Sequence, residues 1–481
     1  MAGEQTRDAD VVVVGFGIAG GCAAVEAAAA GASVLVLERA AVPGGTTAMA
    51  GGHFYLGGGT VVQRATGHQD TPDDMYAYLM AVTPEPEADK IRAYADGSAA
   101  HCDWLESLGF EFERSYYPAK AVIQPQTQGL MYSGNEQVWP FRDLARPAPR
   151  GHKVPVPGDT GGAKLVIDLL ARRADELGVD VWYETQATEL VTESGRVRGV
   201  RWRSLGGNGV VLAGSTILAA GGFVMNTQMV AEHVPQLAEK PFVLGTPYDD
   251  GTGIRLGMSA GGQALHMDQA FITAPFYPPA ALLTGIVVNR DGKRFVAEDS
   301  YHARTSAFVL DQPGSSAFLI VDSVHMAYPE IPLVPFIDGW ETVAEMERAL
   351  GISAGNLAAT LAAYNAAAAR GEDPEFHKHP DWLEPQDTGP WGAFDLTLGK
   401  ATYAGFTLGG LRCSVDGQVQ RADGSVVPGL YAAGACASNI AQDGKGYSSG
   451  TQLGEGSFFG RRAGRHAAGC AQYRRSAATP V

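Results

Sequence analysis

Gly15, Gly17 and Gly20 stand as G-x-G-x-x-G, and Glu38 closes the next apolar run. Glycines at this spacing bring backbone N–H groups up to a pyrophosphate. The acid suits a ribose 2′-hydroxyl and repels a 2′-phosphate. The elements that must hold these residues are legible around them. Val11 to Val14 form the short β-branched run of a buried parallel strand. Gly15 permits the tight turn, Gly17 the approach of the phosphates, and Gly20 the packing of a helix on the strand. The alanine-rich stretch from about Ala19 predicts that helix, its N-terminus aimed at the phosphates, and Ser33–Leu37 predicts a second strand. A lone G-x-G-x-x-G is weak, because glycine turns are common. Strand, helix, strand and acid together make it specific.

A second glycine-rich segment favours FAD over NAD. Gly44-Gly45-Thr46-Thr47 and Gly51-Gly52 offer bare backbone and hydroxyls that can approach a flat ring and bond its edges. Three later segments agree: Ala187-Thr188-Glu189-Leu190 after an expected strand Val179–Tyr183; Ile217–Ala220 ending in Gly221-Gly222; and Val427–Ala433 ending in Gly434. Tyr447 and Ser449 lie just before Gly450–Leu453. On local sequence alone, a glycine-rich loop with a serine N-cap explains them equally well. Tyr301, between Ser300 and His302, reads locally as a surface tyrosine.

Bulk properties fit a soluble α/β enzyme expected in the cytoplasm. The 481 residues can build two or three domains around a large core. A net charge of −16, with no long Lys/Arg run, argues against nucleic-acid and anionic-membrane partners. The five cysteines are scattered, with no C-x-x-C or Cys/His cluster, so neither a disulfide framework nor a metal site is expected. Cys22 and Cys436 read as small core residues. The N-terminal residues are polar, and no stretch is long and apolar enough to span a bilayer.

The expected organisation is a Rossmann-type FAD-binding domain formed by 1–270 and 401–481, with an inserted α+β cap at 271–400, where aromatics and prolines increase. A helical excursion occupies about 60–150, with Thr71 capping and Pro72 in the first turn of one helix. The Pro- and Arg-rich stretch Phe141–Pro157 is expected to be irregular. Ala163–Leu177 predicts a helix, and Asp249-Asp250-Gly251-Thr252 opens another that closes at Gly261-Gly262.

In order, these motifs resemble those of the two-domain flavoproteins that include fumarate reductase and succinate dehydrogenase flavoproteins, aspartate oxidase and the 3-ketosteroid dehydrogenases. The resemblance runs from Asp10 to Arg465. It implies non-covalent FAD held by Gly15, Gly17, Ala19, Gly20, Glu38, Arg39, Gly45, Thr46, Thr47, Gly51, Gly52, Ala187, Ala219, Gly221, Asp250, Gly434, Gln452 and Leu453. Thr46 stands where covalent relatives carry the flavin-linking histidine, and His53 is displaced. Gly251-Thr252-Gly253 replaces the Gly-Asp-Gly of many relatives. In this fold a C-terminal helix aims its N-terminus at the flavin's pyrimidine end, where Gly450–Leu453 supply backbone donors.

Tyr447-Ser448-Ser449, Gly292–Tyr301, Tyr55–Thr60 and Pro149–His152 resemble the 3-ketosteroid Δ4-(5α)-dehydrogenases within that group. This implies a small apolar steroid as substrate, hydride transfer from C5, Ser449 as base at C4, Tyr301 as its proton relay and Tyr447 as donor to the C3 oxygen. Serine alone is a poor base, so its activation by Tyr301 carries the assignment. The electron acceptor stays open. The rival is a reductase of small unsaturated acids, whose site needs cations. Where such enzymes place an arginine this chain has His302, and Arg304, displaced by two, is expected in a structural salt bridge. A Δ1-dehydrogenase is a further alternative, and a flavin-binding redox sensor without turnover belongs to another class. Phe276-Tyr277, Tyr116-Tyr117 and Tyr55 are candidates for a steroid pocket, although core packing explains each one singly.

Overall fold

The computed structural model describes residues 5–122, 124–238 and 242–478, the side chains of 472–478 excepted. The outermost residues of the expected FAD domain, 1–4 and 479–481, and its internal residues 239–241 lie outside the described residues.

Strand Gln5–Val14 lies at the middle of a mixed sheet. It pairs in parallel with Val34–Leu37 on one side and Gly207–Leu218 on the other; Asp180–Trp182 and Val426–Ala432 extend the parallel part outward. The valine run explains the position, because its alternate side chains enter two cores. Val11 and Val13 pack among Ala19, Ala23 and the helix Lys164–Glu176. Val12 and Val14 pack with Ala187, Leu190, Trp202 and Val211 of the antiparallel strands Gln186–Glu193, Arg196–Ser204 and Gly207–Leu218. The expected helices and parallel strands are present, most with ends shifted by one to three residues, but the strands expected at Val11–Val14 and Ile217–Ala220 begin well earlier, at Gln5 and Gly207.

The first helix, Ile18–Ala29, is covered by the long C-terminal helix Thr451–Ala478. Small residues allow the approach. A Cβ on Gly460 would lie 2.4 Å from the Ala19 carbonyl oxygen, and one on Gly464 would lie 2.2 Å from that of Ala23. Gly456, Gly460 and Gly464 recur every fourth residue, one face of a helix.

Thr71 caps the helix Pro72–Val82, its side chain accepting from Asp74 N–H, and Ala88–Ser107 follows. The expected irregularity of Phe141–Pro157 is corrected. The stretch contains a helical turn, Phe141–Leu144, and a strand, Gly151–Lys153, paired with His53–Tyr55 and Leu130–Met131. The reason is a buried ion pair. Arg150 donates to Asp70 at 3.0 Å from Nε and 2.7 Å from Nη2, and neither side chain is exposed. A bidentate pair of this kind fixes backbone that a proline-rich sequence would leave loose.

Between residues 286 and 395 four antiparallel strands form a separate sheet in the order Ile286–Asn289, Ala317–Val321, Trp391–Asp395, Phe336–Trp340. Strands Ala270–Thr273 and Ala404–Thr407 pair antiparallel where the chain enters and leaves this region. Arg294 bridges Glu298 at 2.8 Å and Asp373 at 2.9 Å beside it, all three buried. Among the described residues no helix is long and apolar enough to cross a membrane, and no cluster of His, Cys, Asp or Glu could hold a metal. Cys22 and Cys436 are buried in the core.

Gly460→Ala tests the helix pairing. Its methyl must displace the Ala19 carbonyl, so chemical denaturation should show a loss of about 1–3 kcal/mol, the range for overpacking. Unchanged stability would contradict so close a packing.

Candidate active site

The loop Gln442–Gly450 delivers Tyr447 and Ser449 to the start of the C-terminal helix. Gly450 makes the turn with φ +94°; a Cβ there would lie 2.7 Å from Tyr55 N, so only glycine fits. The segment Ser133–Asn135 grips the loop. Ser449 N–H donates to the Ser133 carbonyl at 2.7 Å, and Ser133 Oγ donates back to the Ser449 carbonyl at 3.0 Å. Tyr78 Oη lies 3.3 Å from Ser448 Oγ and accepts from Asn135 N–H at 2.9 Å.

Tyr301 arrives from the other side, at the start of the helix His302–Leu310. Its N–H donates to Asn135 Oδ1 at 3.0 Å, and its hydroxyl lies 2.7 Å from Ser449 Oγ. The surface position suggested by its polar neighbours is corrected: Tyr301 is 4% exposed. Its neighbours turn inward too, His302 bonding Thr273 Oγ1 through Nδ1 at 2.7 Å. Tyr447 is buried with its ring edge-on to Phe271 and Phe406, centroids 4.8 and 5.7 Å away. Ser449 Oγ is thus engaged across the site.

The rings around Ser449 are uncharged. Burial and the neighbouring Tyr447 push the Tyr301 phenol well above its ordinary pKa, and burial pushes Tyr447 up as well. Both stay protonated at neutral pH. Burial lowers His302 to about 3, so that ring is uncharged. The salt bridge expected of Arg304 is not formed among the described residues. Arg304 instead donates to the Lys445 carbonyl at 3.3 Å and lies over Phe141 and Phe308.

Of the expected cofactor residues, Gly15, Glu38 and Ala219 directly follow the carboxyl ends of parallel strands and Gly434 follows Ala432 by two, the edge where α/β sheets take ligands. Gly15, at φ +99°, packs so tightly on Ala219 that a Cβ would lie 2.5 Å from its carbonyl oxygen. Gly20 backs onto the Gly15 carbonyl, and Gly434 faces Ala19. Gly17 caps the first helix with no side-chain hydrogen bond. Thr47 Oγ1 accepts from Ile18 N–H at 3.1 Å. Glu38 accepts from Phe16 N–H and Ala40 N–H, each at 2.7 Å. Arg39 pairs with Asp250 at 2.7 Å, and Asp250 also takes Thr252 N–H at 3.0 Å. Thr46 bonds Asp249, which a Cβ on Gly221 would strike. Gly45 opens a short helical turn, while Gly51 and Gly52 press on Asp159 and Val154. Ala187 is buried in its strand, and Gln452 and Leu453 lie in the first turn of the C-terminal helix. A helix N-terminus whose first N–H meets only the Thr47 hydroxyl, with bare glycine backbone around it and a fixed carboxylate beside it, fits FAD.

Sequence reading missed Ser133 and Asn135. Gly134-Asn135 signals a turn, but nothing local indicates what that turn holds.

The FAD binding domain family model matches residues 10–456, and the chain belongs to that family. It is an FAD-dependent oxidoreductase. It is similar to the 3-oxo-5-alpha-steroid 4-dehydrogenase of Comamonas testosteroni, 30% identical over 89% of this chain and 93% of that one. The 3-ketosteroid-delta4-(5alpha)-dehydrogenase of Rhodococcus jostii RHA1, solved in complex with 4-androstene-3,17-dione, superposes with a TM-score of 0.90. It is 40% identical, with 97% of this chain and 98% of that one covered. The cytochrome-type fumarate reductase of Shewanella frigidimarina is 29% identical over 95% of this chain and 77% of its own.

Glu455 supports the loop from beneath, accepting from Ile440 N–H at 2.7 Å and Ala441 N–H at 3.3 Å. Burial raises its pKa to about 8. Through the window from about 4.5 to about 8 the folded state keeps a proton that the unfolded chain releases. Stability should therefore fall as pH rises through that window. Glu455→Gln should remove most of this slope in denaturation measured at several pH values.

Proposed function

We propose that this enzyme dehydrogenates a saturated 3-ketosteroid between C4 and C5. The observation that carries the reading is the Ser449 Oγ to Tyr301 Oη contact of 2.7 Å beside uncharged rings, in a site shared with Tyr447. The similarity to two steroid 4-dehydrogenases supports it. In this reading 1–270 and 401–481 form a Rossmann-type FAD-binding domain and 271–400 an inserted α+β cap carrying Tyr301.

Bound FAD would supply the hydride acceptor, held by the glycine, threonine and acid positions described above. The chain's own residues do the rest. A C–H bond next to a ketone is acidified by enolisation, so the substrate needs a base at C4 and a donor at the C3 oxygen. Ser449 Oγ takes the C4 proton as its own passes to Tyr301 Oη. Tyr447, a protonated and desolvated phenol, donates to the oxygen as negative charge develops there. Phe276, Tyr277 and Tyr55 are buried apolar candidates for the steroid pocket, with Tyr116 and Tyr117 half-buried.

Reduction of a small unsaturated acid is the second reading, favoured by the similarity to fumarate reductase. Engagement of Arg304 with a backbone carbonyl and two rings weighs against it. FAD is non-covalent in this reading, because Thr46 offers no imidazole and its hydroxyl is held by Asp249 and Thr246 N–H.

Acid-denatured protein should release intact yellow FAD into the supernatant; flavin retained in the pellet would mean a covalent link elsewhere. Ser449→Ala should slow flavin reduction by 5α-androstane-3,17-dione at least about a hundredfold, with product binding kept within a few-fold. Tyr447→Phe should weaken both, costing about 2.7–4 kcal/mol in the reaction barrier. Near-normal reduction by Ser449→Ala would move the base to Tyr301. Rapid fumarate reduction without bleaching by the steroid would favour the second reading.

A further inference from the structure

Tyr301 and Ser449 come from different elements, and their hydroxyls meet only if those elements keep register. The loop Gln442–Gly450 runs between two helices. A Cβ on Gly446 would lie 2.1 Å from the Val82 carbonyl oxygen, so the loop presses on the end of Pro72–Val82. A Cβ on Gly444 would lie 3.7 Å from Ala307 Cβ, so the loop also passes along His302–Leu310. Contact between small apolar groups is non-directional. It sets how close loop and helix lie, but not where along the helix the loop stops. Lys445 supplies the stop. Its carbonyl accepts from Arg304 Nη1 at 3.3 Å and from Asn135 Nδ2 at 3.4 Å. Its ammonium pairs with Asp311 at 2.6 Å and lies 4.8 Å from the Phe308 ring centroid. Arg304 follows Tyr301 by three residues on the helix, and Lys445 precedes Ser449 by four on the loop. Asn135 accepts from Tyr301 N–H as well, at 3.0 Å. The bonds close a ring: Tyr301 to Asn135, Asn135 to Lys445, Lys445 to Arg304, and back along the helix. The guanidinium is itself held between Phe141 and Phe308, with centroids 4.9 and 5.0 Å away. Its bond to a carbonyl is charge-assisted, and its planar fork leaves little freedom once stacked.

We propose that Arg304 is a positioning residue of the dehydrogenation: through the Lys445 carbonyl it fixes the register between the helix that begins beside Tyr301 and the loop that carries Ser449, and so holds their hydroxyls at 2.7 Å. Arg304 acts through these two residues and not on the substrate. Ser449 can take the C4 proton only while Tyr301 Oη stays within hydrogen-bond reach of Ser449 Oγ. A misplacement of about 1 Å at a reacting group can cost about a hundredfold in rate. Without the Arg304 bond the loop keeps its ties to Ser133, Asn135 and Asp311, so the protein still folds and binds FAD while the two hydroxyls drift apart.

The inference rests on the dehydrogenase reading, and its test separates the two. Holoenzyme is mixed anaerobically with 5α-androstane-3,17-dione and bleaching of the flavin is followed. Arg304→Met keeps an unbranched apolar stem between the two rings but has no donor. It should bleach at least about tenfold more slowly, with affinity for the unsaturated product kept within about threefold. Arg304→Lys keeps a charged donor and should recover part of the rate. The deciding comparison is made in a Tyr301→Phe background, where the hydroxyl contact is already lost. There Arg304→Met should slow bleaching by no more than about twofold, because two changes that act through one contact do not add. Should Arg304→Met fail to hold FAD, Arg304→Lys carried into both backgrounds gives the same comparison. An unchanged rate in Arg304→Met, or an equal loss in both backgrounds, overturns the positioning role and leaves the dehydrogenase reading standing. A wild type that the steroid does not bleach overturns that reading itself.

Discussion

The hydrogen bond between Tyr301 and Ser449 joins residues 148 positions apart, and much of the molecule serves to make it possible. One partner comes from the start of the His302–Leu310 helix, the other from the turn into Thr451–Ala478. A buried phenol and a half-buried serine hydroxyl interact more strongly here than they would in open water, and the phenol is costly if left unpaired. Their geometry must therefore be imposed from outside. Asn135 and Ser133 impose it, one residue tied to each partner. Gly450 permits the turn, and the glycines of the C-terminal helix seat that helix on the nucleotide-binding helix. The Tyr447–Ser449 loop and the first helix thus share one support.

Charge is distributed to suit these uncharged rings. Asp70 with Arg150, and Arg294 with Glu298 and Asp373, are buried pairs that satisfy one another. Buried pairs contribute little net stability, but breaking one strands its partner, so they serve here to fix backbone. Phenols that remain protonated can donate to a ketone without repelling the charge that builds on it. Cationic clamps would serve a dicarboxylate, and Arg304, three residues after Tyr301, is turned to backbone and rings.

The nucleotide-binding half was legible in the sequence because its constraints are local. Gly15 needs a positive φ, Gly20 abuts the Gly15 carbonyl, and the valine run has one sensible environment. Helix caps such as Thr71 are equally local. The clamp was not legible, because Ser133 and Asn135 act through partners more than 160 residues away. The strand Gly151–Lys153 was hidden by prolines, since Asp70, which fixes it, lies 80 residues before Arg150. Tyr301 was masked by polar neighbours whose partners lie inside the protein. Only the resemblance to a family connected it with Ser449.

The most direct test is single-turnover flavin reduction with 5α-androstane-3,17-dione carrying deuterium at one carbon. Deuterium at C5 should slow bleaching of the oxidised flavin severalfold, because that bond breaks in hydride transfer, and deuterium at C1 should have no effect. Slowing by C1 deuterium with none from C5 would put the new double bond in the other half of the ring and contradict the assignment of Ser449 as the base at C4.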